Sequence, residues 1–143
     1  MKIEMEKVSV IIPAYNAERT IEACVESVLS QTYENTEIIV INDDSIDNTL
    51  QIASCYQQKH SNVVVCDKEN TGVGDSRNRG LDIATGELIM FVDADDTISL
   101  DYIDRLVSLL TPEVDLVISQ LWPDGKGSWS KVGTYLDFYL DRK

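Results

Sequence analysis

Residues 88–97 read Leu-Ile-Met-Phe-Val-Asp-Ala-Asp-Asp-Thr. Five apolar residues run into three carboxylates, Asp93, Asp95 and Asp96. A continuous apolar run predicts a strand buried on both faces of a parallel sheet. The carboxylates then stand at its C-terminal end, the edge where open α/β sheets bind ligands. Asp93 and Asp95 are two apart, so along an extended chain they face the same way. Neighbouring carboxylates repel unless a cation neutralises them. Hard oxygen ligands suit Mg²⁺ or Mn²⁺, and Mg²⁺ commonly takes one or two carboxylates plus substrate phosphates. The stretch therefore points to a metal-held diphosphate.

The same residues admit other readings. Asp-Asp after a strand can start a turn or cap a helix. Asp93, Asp95 and Thr97 fit alternating ligand positions of an EF-hand loop, but Ile98 stands where its sharp turn needs Gly. Strand-Asp-x-Asp-x-Thr also resembles the nucleophile motif of haloacid-dehalogenase-type phosphatases, which implies Asp93 as nucleophile and Asp95 as acid. The rest of the chain must arbitrate.

At 143 residues the chain has the length of one domain, and 43% apolar residues are enough for a core. A net charge of −13 argues against nucleic-acid binding and against an anionic membrane surface, since both want basic patches. Cys24, Cys55 and Cys66 are odd in number and lack CxxC spacing, which argues against a disulfide framework or a zinc site. Buried thiols at Cys24 and Cys66 and a cytoplasmic location are the expectation. The charged N-terminus is neither a signal peptide nor a membrane span, so membrane association is not encoded here. His60, the single histidine, takes no role.

Periodicity gives alternating elements. Strand one is Val8–Ile12, stopped by Pro13, and a helix capped by Asn16 follows. Strand two is Glu37–Ile41, with Asp47 or Asn48 capping the second helix. Strand three is Val63–Cys66. Helix three runs from Asp75 to about Ala84, with Gly86 as its C-cap. Gly80 lies inside it, where either close packing or simple tolerance accounts for it. Strand four is Leu88–Val92, helix four carries Leu100 to Leu110 with Ser99 as cap, and strand five is Val114–Ser119. Alternation of this kind predicts an α/β fold, a parallel sheet with helices on both faces. Residues 120–143 read as loop and cut-off tail.

The strand ends then share one edge. It carries Pro13 and Tyr15, then Asn42-Asp43-Asp44-Ser45, then Gly72, Gly74 and Arg77, and last the acid cluster. An aromatic ring, carboxylates, glycines and an arginine suit a base, a ribose and a diphosphate.

At this point a resemblance becomes specific. Val-Ser-Val-Ile-Ile-Pro-Ala-Tyr-Asn at 8–16 and Ser-Val-Leu-Ser-Gln-Thr-Tyr at 27–33 resemble family 2 glycosyltransferases of the Rossmann-like GT-A fold. So do Ile-Val-Ile-Asn-Asp-Asp-Ser-Ile-Asp-Asn-Thr at 39–49 and Asn-Thr-Gly-Val-Gly-Asp-Ser-Arg-Asn-Arg-Gly at 70–80. Ala-Thr-Gly-Glu-Leu-Ile-Met-Phe-Val-Asp-Ala-Asp-Asp at 84–96 is similar to the family's strand and DxD motif. Five motifs occur in order over residues 8 to about 119.

The resemblance implies a nucleotide-sugar-binding domain over 1–143, cut after about five strand–helix units. It implies a nucleotide site of Pro13, Tyr15, Asp43, Arg77, Asp93 and Ala94. Tyr15 lies against the base, Asp43 accepts from the base edge, and Arg77 lies near Asp43. Asp95, with Asp93, holds Mn²⁺ or Mg²⁺. The implied donor is a nucleotide-diphosphate sugar, with UDP the commonest nucleotide, and the acceptor is a saccharide or lipid-linked. Asp44 and Ile46 depart from the family's Gly and Thr; Asp tolerates positive φ better than most residues. The family's base lies in a later segment. No catalytic residue is assigned, the chain is expected to bind donor without transferring sugar, and its apolar tail invites self-association into a homo-oligomer. The rivals are a non-catalytic binding module, the phosphatase, and a dinucleotide dehydrogenase. The dehydrogenase is opposed by Gly72-Val-Gly-Asp-Ser-Arg, which lacks a third Gly and follows strand three.

Overall fold

A computed structural model describes residues 5–117. The chain forms two compact units, 1–100 and 101–143. The first holds β1 (Val8–Ala14), α1 (Ile21–Leu29), β2 (Thr36–Asp43), α2 (Thr49–Lys59), β3 (Val63–Lys68), α3 (Val73–Ile83) and β4 (Leu88–Phe91). The second holds α4 (Tyr102–Leu109), where Arg105 Nε donates to Asp101 Oδ2 at 2.6 Å. Asp101, not Ser99, occupies the N-cap position of α4. Residues 114–117 form no strand, and the rest of the expected fifth strand and the tail lie outside the described residues.

The sheet is wholly parallel, in the order β3-β2-β1-β4. The chain steps from β1 out to β3, then returns across β1 to place β4 on its other side. Right-handed crossovers therefore put α1 and α2 on one face and α3 on the other. Side-chain alternation agrees. Ile11, Ile39 and Ile41 form a core cluster with Ile83 and Ala84 at the end of α3. In β1 and β2 every residue from Val8 to Ala14 and from Glu37 to Asp43 is buried.

β1 runs through Pro13 rather than stopping before it. Val8 N donates to Asn35 O on the β2 side, whereas Ile11 O accepts from Val92 N on the β4 side. Odd residues of β1 thus face β4. Pro13 meets that side beyond the end of β4, where its missing N–H breaks no ladder bond. β4 itself departs from expectation. It lies at the sheet edge among the described residues, with Ile89 39% and Phe91 43% exposed. An apolar run alone does not separate a central strand from an edge awaiting cover.

Two glycines are close-approach positions. A Cβ on Gly80 would stand 2.3 Å from Ile11 Cγ2, so α3 sits on β1 at a distance only glycine allows. Gly86 is not the cap of α3; Ala84 ends that helix. A Cβ on Gly86 would stand 2.5 Å from Lys7 O and 2.6 Å from Ser9 Oγ, so Gly86 lets the turn before β4 press on β1.

That turn is fastened by a buried carboxylate. Glu37 Oε1 accepts from Ser9 Oγ at 2.5 Å and from Thr85 N at 2.7 Å, and Oε2 accepts from Lys7 Nζ at 2.9 Å. Gly86 N donates in turn to Ser9 Oγ at 2.8 Å. Burial alone would raise the Glu37 carboxyl, but the hydrogen bonds from Ser9, Thr85 and Lys7 outweigh it and hold it at about 2.

Two predictions follow from these contacts. In a helix interior, alanine for glycine gains about 1 kcal/mol, whereas overpacking costs about 1–3 kcal/mol. At 2.3 Å the clash wins, so Gly80→Ala should lower the urea midpoint. The Glu37 carboxyl is depressed on folding, so its contribution is full above about 4.5 and fades as pH falls toward 2. Glu37→Gln should therefore cost more stability at pH 6 than at pH 3 by urea unfolding. An equal loss at both would place the stabilisation outside that ionisation.

Candidate functional site

The strand order reverses between the paired strands β1 and β4, and an open cleft of about 680 Å³ lies at their C-terminal ends. Pro13, near the end of β1, and Tyr15, just after it, line the cleft. Asp93, Ala94 and Asp95 follow β4, and Val73 and Arg77 come from α3. The structure thus gathers six of the seven expected residues in one cleft. Asp43 does not line it.

The wall beyond β1 is a loop laced to the loop after β2. Asn16 N donates to Ser45 Oγ at 3.0 Å, Ala17 N to Thr49 Oγ1 at 2.8 Å, and Glu18 N to Asp47 Oδ2 at 3.1 Å. In return Ile46 N donates to Asn16 Oδ1 and Asn48 N to Glu18 Oε2. The lacing needs two sharp reversals, met by Asn16 at φ 48° and Asp44 at φ 58°. Asp44 does adopt the positive φ expected of it. Asn16 is not a helix cap, because α1 starts only at Ile21. At α2, Asn48 holds the cap position, but Asp47 Oδ1 accepts from Thr49 N at 3.0 Å and from its hydroxyl at 2.5 Å.

The acid segment and the residues after it are held from behind by α1 and the turn that follows α1. Cys24 Sγ donates to Asp93 O at 3.5 Å, Ile98 N donates to Ser27 Oγ, and Gln31 Nε2 donates to Ser99 O. Burial, with the nearby charges of Asp96, Asp95 and Asp93, pushes the Cys24 thiol up to about 12. Burial and the charges of Asp95 and Asp93 raise the Asp96 carboxyl as well. Cys24 is buried as expected; Cys66 is only half-buried and Cys55 is exposed.

Arg77 was expected near Asp43. Instead its Nη2 donates to Asp93 Oδ1 at 2.9 Å, and its guanidinium lies 5.8 Å from the centre of the Phe91 ring. The cation beside Asp43 is Lys68, which sequence reading passed over. Its Nζ donates to Asp43 Oδ1, to Thr71 Oγ1 at 2.6 Å and to Glu69 O at 2.9 Å, and it pairs with Asp75 at 3.2 Å. Thr71 N and Gly72 N, each at 3.1 Å, complete the carboxylate's shell. Burial opposes the charge on Asp43, yet the Lys68 and backbone hydrogen bonds hold its carboxyl below the ordinary range. Lys68 is the last residue of β3, in register with Asp43. The sequence hint was a lysine at a strand end beside a carboxylate strand end.

Among the described residues no group of three or more His, Cys, Asp or Glu is assembled to hold a metal alone. The donor set still fits a hard cation. Two carboxylates, Asp93 and Asp95, share the cleft, and Asp95 has no hydrogen-bond partner among the described residues. Mg²⁺ and similar ions fill their remaining positions with water and substrate phosphate. No helix among the described residues is long and apolar enough to cross a membrane.

The sequence model of glycosyl transferase family 2 matches residues 9–141. The chain belongs to this family. It is 40% identical over 116 residues to the putative glycosyltransferase EpsH of Bacillus subtilis, covering 81% of this chain and 34% of that protein. It is 41% identical over 114 residues to the uncharacterized glycosyltransferase YibD of Escherichia coli, covering 80% of this chain and 33% of that protein. Solved structures agree. TarS 1–349 of S. aureus in complex with UDP-GlcNAc is 37% identical with a TM-score of 0.66, over 71% of this chain and 30% of that one. The mannosyltransferase PcManGT of Pyrobaculum calidifontis, in complex with GDP-Man and Mn²⁺, is 28% identical with a TM-score of 0.69, over 78% and 34%. The family 2 chain thus spans about a third of the length of these relatives, and the GT-A fold is that of its structural neighbours.

Lys68 joins the ends of β2 and β3 to the turn that starts α3. Lys68→Met should lower stability by about 1.5–3 kcal/mol, the worth of hydrogen bonds to a charged group. Urea unfolding measures it, and a change under 0.5 kcal/mol would assign the fastening to the Thr71 and Gly72 amides alone.

Proposed function

We propose that this chain is the donor-binding part of a glycosyltransferase. It binds a nucleotide-diphosphate sugar, UDP-linked, with a divalent cation held at Asp95 and Asp93, for inverting transfer to a saccharide or lipid-linked acceptor. One observation carries the reading: the aromatic ring after β1 and the carboxylates after β4 line a single cleft at the switch point of the sheet. Relatives named as glycosyltransferases, and neighbours in complex with UDP-GlcNAc or with GDP-Man and Mn²⁺, support it.

The chain's own residues divide the work. Tyr15, 54% exposed on the cleft, offers a face to the base. Asp43 accepts two hydrogen bonds at Oδ1 and one at Oδ2, which leaves an acceptor position for a base N–H. Its charge at neutral pH makes it an acceptor only. Arg77 keeps Asp93 oriented toward the cleft through its 2.9 Å contact. Asp95 and Asp93 would hold Mn²⁺ or Mg²⁺, which supplies Lewis-acid stabilisation of a departing diphosphate. No base is assigned; Asp124, Asp137 and Asp141 lie outside the described residues.

A non-catalytic nucleotide-sugar-binding module shares every one of these features and differs only in lacking turnover. The phosphatase reading fits less well. Its nucleophile motif opens the first strand, whereas here the acids follow β4.

Calorimetry with UDP, GDP, dTDP and CDP tests the reading, with and without Mn²⁺. UDP should bind only with the cation, and Asp95→Asn should weaken it at least tenfold. Equal UDP affinity in Mn²⁺ and in EDTA would sink the metal assignment.

A further inference from the structure

Most charged side chains that line the cleft already have partners. Arg77 is paired with Asp93. Glu18 accepts from Asn48, and Asp47 accepts from Glu18 N and Thr49. Two are left over, with opposite charge. Arg19 and Asp95 have no ion pair or hydrogen bond among the described residues.

The base of Arg19 is nevertheless fixed. The residues just before it are laced to the loop after β2 through Asn16 N, Ala17 N and Glu18 N, and Thr20 N donates to Ala17 O at 3.0 Å. Arg19, exposed and lining the cleft, thus stands on a held backbone with its guanidinium unpaired among the described residues, which lowers the ordering cost of any contact it makes. The field around it favours the same conclusion. The cleft is lined by the carboxylates of Glu18, Asp47, Asp93 and Asp95 against two guanidiniums, one of them neutralised, in a chain of net charge −13. An anion entering here is repelled unless a cation meets it. Asp95 can recruit a metal; Arg19 is the cation the chain itself supplies. A guanidinium matches phosphate oxygens with two parallel hydrogen bonds.

We propose that Arg19 binds the phosphate oxygens of the nucleoside diphosphate in this cleft. The assignment rests on the nucleotide-sugar reading above and adds a residue that the sequence motifs do not contain.

The test is calorimetry on the 143-residue chain and its Arg19→Gln and Arg19→Lys variants, with uridine, UDP and pyrophosphate in Mn²⁺. Arg19 is exposed and unpartnered, so thermal unfolding of the variants should match the unaltered chain. Arg19→Gln should weaken UDP roughly ten- to a hundredfold, the worth of a charge-assisted contact, and leave uridine unchanged. Arg19→Lys should fall between, because it keeps the charge and loses the fork. Unchanged UDP affinity overturns the proposal, and so does an equal loss for uridine, which would assign Arg19 to the base. The pyrophosphate arm separates the two levels. If pyrophosphate binds through Arg19 while UDP does not bind the unaltered chain, the nucleotide reading fails and the phosphate contact stands. If UDP binds the unaltered chain and Arg19→Gln alike, the nucleotide reading stands and Arg19 has no part in it. Failure of both ligands to bind the unaltered chain overturns both.

Discussion

The hydrogen-bonded carboxylate of Glu37 is the constraint from which the site's geometry follows. It sits at the foot of the sheet, opposite the cleft, and joins β1 through Lys7 and Ser9 to the α3–β4 turn through Thr85. That turn sets where β4 begins against β1, with Leu88 in register with Val8. A parallel ladder then carries the register unchanged to the other end. Asp93 and Asp95 reach the cleft because the strand that delivers them was placed at Leu88, five residues before Asp93, by a carboxylate at the opposite end of the sheet. An uncompensated carboxylate at such a depth would be costly, and four donor groups, Ser9 Oγ, Lys7 Nζ, Thr85 N and Thr85 Oγ1, offset that cost.

At the cleft end the fastening is made between loops rather than within the sheet. Two loops have no sheet between them, so they fasten to each other. Short polar side chains at Asn16, Ser45, Asp47 and Thr49 substitute for the missing ladder. Side chains of this kind compete for backbone groups wherever regular structure stops. This explains why a polar stretch that reads as an ordinary loop is built as a wall. Lys68 plays the equivalent part between β2, β3 and α3.

The parallel sheet and the edge that carries the cleft were legible because they depend on periodicity and on the alternation of strands with helices. The apolar runs at Val8 and Glu37–Ile41, the helical spacing after Ile21 and the acids after Val92 all lie where their patterns put them. Legibility ended where pairing decides. Nothing in the local pattern of Arg77 distinguishes Asp93 from Asp43 as its partner, since both lie on the same edge. Lys68 was invisible for the same reason: its value comes from strand register, which a single strand does not encode. Gly80 and Gly86 were visible as glycines, but only the distances to Ile11 and Ser9 reveal what each admits. The edge position of β4 was hidden because an apolar run has the same appearance whether or not a neighbour covers it.

Cys24 gives the chain a built-in probe of its own acid segment. Its thiol is buried, donates to the carbonyl of Asp93 and is pushed up to about 12. A thiol that far from ionising is inert to alkylating reagents at neutral pH, because the thiolate is the nucleophile. Cys55, exposed on α2, is open to reagent and serves as the internal standard. The ratio of labelling at the two positions therefore reports, without any mutation, how often the segment behind the carboxylates comes away from α1.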